Sequence, residues 1–154
     1  MDLPSRIGRR GRTLDQIAEA LPQRASALSR LFLTRTSVRI SRIEAGVLGA
    51  LSSRSYGITE LAAQERVTQP AITRLVDRLQ ERGWVERDTS PADGRVVLVT
   101  LTPAGREVLE RLRAEYRALL HVEMATLADC DVQTLARAIE ILDGLIERLT
   151  GHDQ

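Results

Sequence analysis

The fold turns on the stretch Thr68-Gln-Pro-Ala-Ile-Thr-Arg-Leu-Val-Asp-Arg-Leu-Gln-Glu-Arg-Gly83. It reads as one helix with both ends marked. Thr68 can cap the first turn, Pro70 fits within that turn, and Gly83 is placed to end the helix. Ile72, Leu75, Val76 and Leu79 recur at helical spacing, so one face is apolar and seeks a core. The other face carries Gln69, Thr73, Arg74 and Arg78. Gln and Arg are the side chains that make two-pronged hydrogen bonds to base edges in a major groove. An ordinary amphipathic helix with a solvated charged face would show the same pattern. The flanking segments have to decide.

Just upstream, Ile58-Thr-Glu-Leu-Ala-Ala-Gln-Glu-Arg66 reads as a short helix with Thr59 as its cap, and Val67 and Thr68 as the turn that follows. Two helices joined in this way form a helix-turn-helix, whose second helix enters the groove. Just downstream, Trp84–Asp88 and Arg95–Leu101 are β-branched and apolar, and the intervening Thr89-Ser-Pro-Ala-Asp-Gly94 is rich in turn formers. A helix-turn-helix followed by a hairpin is a winged helix. The expected fold class is therefore mainly α with a small β-hairpin wing (α+β).

The hairpin tip holds Asp93-Gly94-Arg95. Residues two apart on a strand point to the same side, so the carboxylate can fix the guanidinium by a charge-assisted bond. An arginine held at a hairpin tip can enter a minor groove and read its width and potential. By itself the same pair would be an exposed turn salt bridge, worth little. The expected DNA-contacting set is Thr68, Gln69, Pro70, Thr73, Arg74, Arg78, Asp93 and Arg95. Between residues 66 and 95 there are six arginines and five acids, so the module is almost neutral. Base contacts, groove shape and dimeric avidity must supplement charge.

Residues 58–109, ITELAAQERVTQPAITRLVDRLQERGWVERDTSPADGRVVLVTLTPAGREVL, resemble the MarR-type bacterial regulators. The likeness rests on the helix-turn-helix, the wing signature Asp93-x-Arg95 and the closing Leu101-Thr-Pro-x-Gly105, in that order. It implies a homodimer in which the first and last helices of two chains interleave. It also implies a small, often aromatic or phenolic, effector in a cleft between the dimerisation helices and the DNA-binding lobe. Binding there shifts the spacing of the two lobes and releases DNA, a population shift between conformations. Element order suggests Arg39, Tyr56, Arg106 and Tyr116 as lining candidates. Redox-sensing members carry a reactive cysteine near the first helix, whereas this chain has only Cys130.

The remaining sequence fits one domain of 154 residues, with 43% hydrophobic and 28% charged residues. Residues 1–12, with Arg6, Arg9, Arg10 and Arg12 beside Gly8 and Gly11, read as a disordered basic tail, the alternative being a basic arm that touches the DNA backbone. A dimerisation helix is expected over 13–35, opened by a Thr13/Gln16 capping box and kinked or briefly broken at Pro22. The winged helix-turn-helix lobe spans 41–102 and opens with a Ser41/Glu44 capping box. Gly46 and Gly49 weaken its first helix by about 1 kcal/mol each unless another element packs closely there. Further dimerisation helices occupy 103–150: one from Pro103 to about Leu127, and a last one capped by Asp129 or Asp131. In the last, Val132, Leu135, Ile139, Leu142, Ile146 and Leu149 repeat in steps of three and four, a seam that calls for a partner helix.

Composition also narrows the chemistry. Net charge is only +1, and all 22 basic residues are Arg, so every cationic contact has a planar, forked geometry. A single cysteine excludes an internal disulfide. No apolar run approaches the ~20 residues that span a bilayer, and no apolar stretch follows the N-terminal arginines. No membrane association and a cytoplasmic location are expected. His121, His152 and Cys130 form no ligand cluster, and there is no phosphate loop or nucleophile motif. No metal, cofactor or catalytic residue is expected, and an enzyme reading lacks a constellation to support it. The reading is a homodimeric transcription regulator, a repressor on a pseudo-palindromic double-stranded DNA operator with half-sites about one helical turn apart. The alternative is a winged-helix protein-interaction module without DNA binding, since fold alone does not fix function.

Overall fold

The computed structural model describes residues 3–89 and 97–151. Their order is α1 (Leu3–Thr34), α2 (Arg42–Leu51), β1 (Tyr56–Gly57), α3 (Ile58–Glu65), α4 (Gln69–Glu81), β2 (Val85–Thr89), β3 (Val97–Leu101), α5 (Pro103–Met124) and α6 (Asp129–Gly151).

The core is built by the winged helix. Ile72, Val76 and Leu79 of α4 are fully buried and Leu75 nearly so, as the periodicity requires. They pack with Val47, Leu48 and Leu51 of α2, Leu61 and Ala62 of α3, Val85 of β2, Val99 of β3 and Leu109 of α5. Each such aliphatic side chain contributes about 1.5–3 kcal/mol by leaving water. The strands form an antiparallel sheet in the order β1-β3-β2, with Val85 opposite Leu101 and Thr89 opposite Val97. The sequence suggests two strands and the structure has a third. Tyr56 pairs with Val99 and Gly57 with Leu98, but two residues are too short to show an alternating pattern.

The helix ends explain how α4 is fixed. Gly83 has φ +71, its N–H bonds the Gln80 carbonyl at 2.8 Å, and the Trp84 N–H bonds Leu79 at 2.9 Å. This is a Schellman motif, which satisfies two carbonyls of the last turn. At the other end the Thr68 backbone takes the cap position, and its carbonyl accepts from Ala71 and Ile72 at 3.0 Å. The Thr68 hydroxyl makes no cap bond, contrary to the expectation. The turn between α3 and α4 passes through Arg66 at φ 54, ψ 45. A side chain in that left-handed region costs roughly 1–2 kcal/mol. Arg66→Gly is accordingly expected to raise the unfolding free energy by about 1 kcal/mol in urea titrations, despite the freer unfolded chain.

Several expected boundaries move. The α1 backbone is helical from Leu3, so residues 3–12 are not a disordered tail, and Thr13 lies inside the helix rather than at its start. Pro4 falls in the first turn, where it is tolerated, and the arginines that follow are good helix formers. The helix also runs through Pro22 without a break. Glycine at position 57, not Thr59, occupies the cap of α3. The start of α6 is supported by the Ala128 carbonyl, with Asp129 and Asp131 already in its first turn.

The chain separates into two compact units, Met1–Arg113 and Ala114–Gln154. The first half of α5 belongs with the winged helix because Gly105, Leu109 and Leu112 are buried there. Thr102 caps this helix: its hydroxyl accepts the Gly105 N–H at 3.0 Å and donates to the Gly83 carbonyl at 2.6 Å. In α6 no residue is buried, and Val132, Leu135, Ile139, Ile141, Ile146 and Leu149 are exposed. On α1, Leu14, Ile17, Leu21, Leu28 and Leu31 are exposed as well. No helix among the described residues is long and apolar enough to cross a membrane.

Candidate nucleic-acid interface

Because the apolar stripe of α4 is buried, its opposite face must be presented outward. Gln69, Pro70 and Arg74 are exposed, as is Thr68, and Thr73 is half-buried. The Thr73 hydroxyl donates back to the Gln69 carbonyl at 2.9 Å. The Gln69 amide Nε2 donates to Thr59 Oγ1 on α3 at 2.6 Å, so the two helices are tied at the turn. Glu60, one residue further along α3, accepts the Gly57 N–H at 2.8 Å and pairs with Arg54 at 3.0 Å. That backbone bond, then the Arg54 bond, hold its carboxyl below the usual carboxylate range.

The arginines of this face divide into engaged and unengaged groups. Arg78, in the expected DNA-contacting set, is exposed; its Nε lies 3.8 Å from Glu44 of α2 and its Nη1 donates to the Arg74 carbonyl at 3.3 Å. Arg82 meets the same Glu44 oxygen at 3.6 Å, donates to the Arg39 carbonyl at 3.4 Å and stacks over Trp84 at 4.9 Å. Arg87 of β2 bonds Asp77 at 2.6 Å and Gln80 at 2.7 Å, which pins the strand to α4. Arg66 and Arg74 are exposed and have no ion-pair partner among the described residues. Asp93 and Arg95 lie outside the described residues.

Glu44 is the buried acid that organises this side, at 5% exposure. Burial pushes its carboxyl up. The Ser41 N–H and hydroxyl, with Arg82 and Arg78, outweigh that effect and leave the pKa below the usual value. The Ser41-x-x-Glu44 spacing announces the capping box, which is formed with Ser41 N–H to Glu44 at 2.8 Å. Its second role toward α4 depends on residues more than thirty positions away, and no local pattern carries it. Glu65 behaves oppositely: burial raises its pKa, and Arg42 at 4.0 Å only partly offsets this. Its carboxylate lies against Gly46, which explains that glycine, whereas Gly49 faces open space.

The effector candidates find different surroundings. Arg54 covers the Tyr56 ring at 3.6 Å, and Arg39 offers its carbonyl to Arg82. Arg106 lines an open cleft of about 460 Å³ with Leu101, Pro103, Glu107 and Glu110. A larger cleft of about 560 Å³ lies between α1 and α2, lined by Ala25, Ser26, Ser29, Arg30, Leu33 and Arg42. Cys130 is exposed. No cluster of His, Cys, Asp or Glu able to hold a metal occurs among the described residues.

Comparison with known proteins adds a family. Residues 52–97 match the family model described as "MarR family". An HTH-type transcriptional regulator of Mycobacterium tuberculosis is 33% identical over 87 residues, covering 56% of this chain and 61% of that protein. The HTH-type transcriptional repressor IacR of Pseudomonas putida is 33% identical over 92 residues, covering 60% of this chain and 55% of that protein. The chain thus spans somewhat over half the length of these curated relatives. Among solved structures, wild-type MarR of E. coli in its apo form superposes with a TM-score of 0.67 at 29% identity, covering 84% of this chain and 96% of that one.

Proposed function

We propose that this chain, which belongs to the MarR family of winged-helix proteins, is a DNA-binding regulator of transcription and not an enzyme. The observation that carries the reading is the outward face of α4: Gln69 and Arg74 are exposed, and Arg74 has no ion-pair partner among the described residues. A long, forked cation on the exposed face of the second helix of a helix-turn-helix suits a guanine edge. The winged-helix interaction module without DNA binding has no comparable observation in its favour. The protein would act in the cytoplasm, where its DNA is.

Binding to the DNA upstream of its own gene, at fixed salt, tests this. Arg74→Ala is expected to weaken binding by about 1–3 kcal/mol and relax selectivity near one position of each half-site. Arg95→Ala, on the wing, should weaken binding to all related operators and most on narrow A·T-rich flanks. Unchanged binding by both variants would overturn the reading.

The finer reading is a homodimer on a pseudo-palindromic operator. The exposed stripes of α1 and α6 support it, since large contiguous apolar surface on a lone chain is uncommon. Ile139→Asp is expected to give monomers in sedimentation and to lose operator binding, because each half then binds alone. The native chain sedimenting as a monomer would refute the dimer. IacR is named a repressor, which supports repression here too. The cleft between α1 and α2 is the place to seek an aromatic or phenolic effector, by titrating such molecules against the operator complex.

A further inference from the structure

We propose that Thr59 is a positioning residue that sets the Gln69 amide to read an adenine in each half-site. The inference rests on the DNA-binding reading above and deepens it to one base pair. Gln69 is the first residue of α4 and is exposed, so its amide stands where the second helix of a helix-turn-helix approaches the base edges. A free glutamine at such a place rotates about three bonds and presents either amide group. Here Nε2 is held 2.6 Å from Thr59 Oγ1, across ten residues of sequence and from another helix.

The bond does more than slow rotation. A glutamine amide has two N–H donors and one carbonyl acceptor. We take the hydrogen on the Cγ side as the one donated to Thr59; the other hydrogen and Oε1 then stand side by side on the free edge. That edge is one donor next to one acceptor, the complement of adenine N7 and N6–H₂ in the major groove. Guanine offers two acceptors there, so Oε1 would face another oxygen. The Thr73 hydroxyl does not compete for the amide, because it donates to the Gln69 backbone carbonyl at 2.9 Å. Both helices are anchored beneath the pair by Leu61 and Ile72, each fully buried, so their spacing is fixed independently of the hydrogen bond. Thr59 itself is not the α3 cap, a role taken by Gly57, so removing its hydroxyl need not fray the helix.

The test is binding of the full-length protein to a library of double-stranded operators randomised at each half-site position, at one salt concentration. Gln69→Ala should flatten an adenine preference at one position, from roughly ten- to hundredfold to none. Thr59→Val keeps the shape and removes the acceptor; it should cut that same preference about three- to tenfold while changing affinity for other positions little. Thr59→Ser should restore it, and Thr59→Val added to Gln69→Ala should have no further effect, since the two act as a unit. Thermal melting of the variants separates these effects from loss of fold. A Thr59→Val protein with the preference intact, or effects that add, would overturn the positioning role while leaving DNA binding standing. A preference for guanine at the Gln69 position would overturn the assignment of the base. If the unmodified protein binds no member of the library selectively, the DNA-binding reading fails and this one with it.

Discussion

Gly105→Ala is expected to lower the unfolding free energy by about 3 kcal/mol, the upper end for overpacking a tight site. A methyl at this position would collide with the Trp84 carbonyl oxygen, lie 2.9 Å from the Trp84 carbonyl carbon and 2.8 Å from Leu101 Cδ1. Two of these atoms are backbone. They are themselves held in place, because the Thr102 N–H bonds the Trp84 carbonyl at 3.1 Å and the Thr102 hydroxyl bonds Gly83. Rotamer changes cannot relieve the clash, so α5 must move off the end of α4. Urea denaturation at pH 7 reads the loss. Gly46→Ala is the useful control: its three nearest contacts are all in the carboxylate of Glu65, the end of a flexible side chain, and it gains helix propensity. Comparable losses for the two variants would show that the Trp84 contact is not what Gly105 serves.

Glu44→Ala should cost about 1–2 kcal/mol at neutral pH, most of it the lost bond from the Ser41 N–H and the rest the screened ion pairs with Arg78 and Arg82 at 3.8 and 3.6 Å. The pH dependence gives the cause away. The folded carboxyl has a pKa below its ordinary 4.5, so its stabilisation is present above that value and is lost as pH falls through the folded pKa. The gap between native and variant stability should therefore be full at pH 7 and close in acid. A gap that stays constant into acid would mean that Glu44 contributes packing and not charge. Two flanking arginines are also released, and Arg82 no longer has a reason to hold the Arg39 carbonyl. Operator binding by Glu44→Ala should weaken as the end of α4 loosens.

These two sites mark the limits of what the sequence conveys. The α4 helix is legible because its information is local: four apolar residues at helical spacing and a glycine where the backbone turns left-handed at its end. The capping box of α2 is legible for the same reason. What lies between segments is not. The Gln69–Thr59 bond and the Arg78–Glu44 approach each join side chains from different helices, and neither leaves a spacing rule. Sequence alone therefore places Arg78 on the exposed face, where it lies, but does not show its approach to Glu44 of α2 at 3.8 Å. Gly105 is visible as part of a family motif, but only the Trp84 backbone shows why a side chain is excluded. The helical start at Leu3 is missed because the Thr13/Gln16 spacing looks like a beginning, although the same spacing also occurs inside a continuing helix. The third strand is missed because two residues carry no period.

Trp84 sits where all of this meets, and it is the only tryptophan in the chain. Its indole is half-buried, with the Arg82 guanidinium over the ring, and its carbonyl abuts Gly105. Indole emission responds to nearby charge and to water, so the chain carries an intrinsic optical probe at the joint between α4, the sheet and α5. Excitation at the red edge of the protein band would report this one place, without labelling and without deconvolution among several emitters. An operator or effector that shifts Arg82 would alter the emission even when the secondary structure is unchanged. The same signal followed in a stopped-flow mixer would time that shift against the binding step, and so separate a joint that moves before the added molecule binds from one that moves after it.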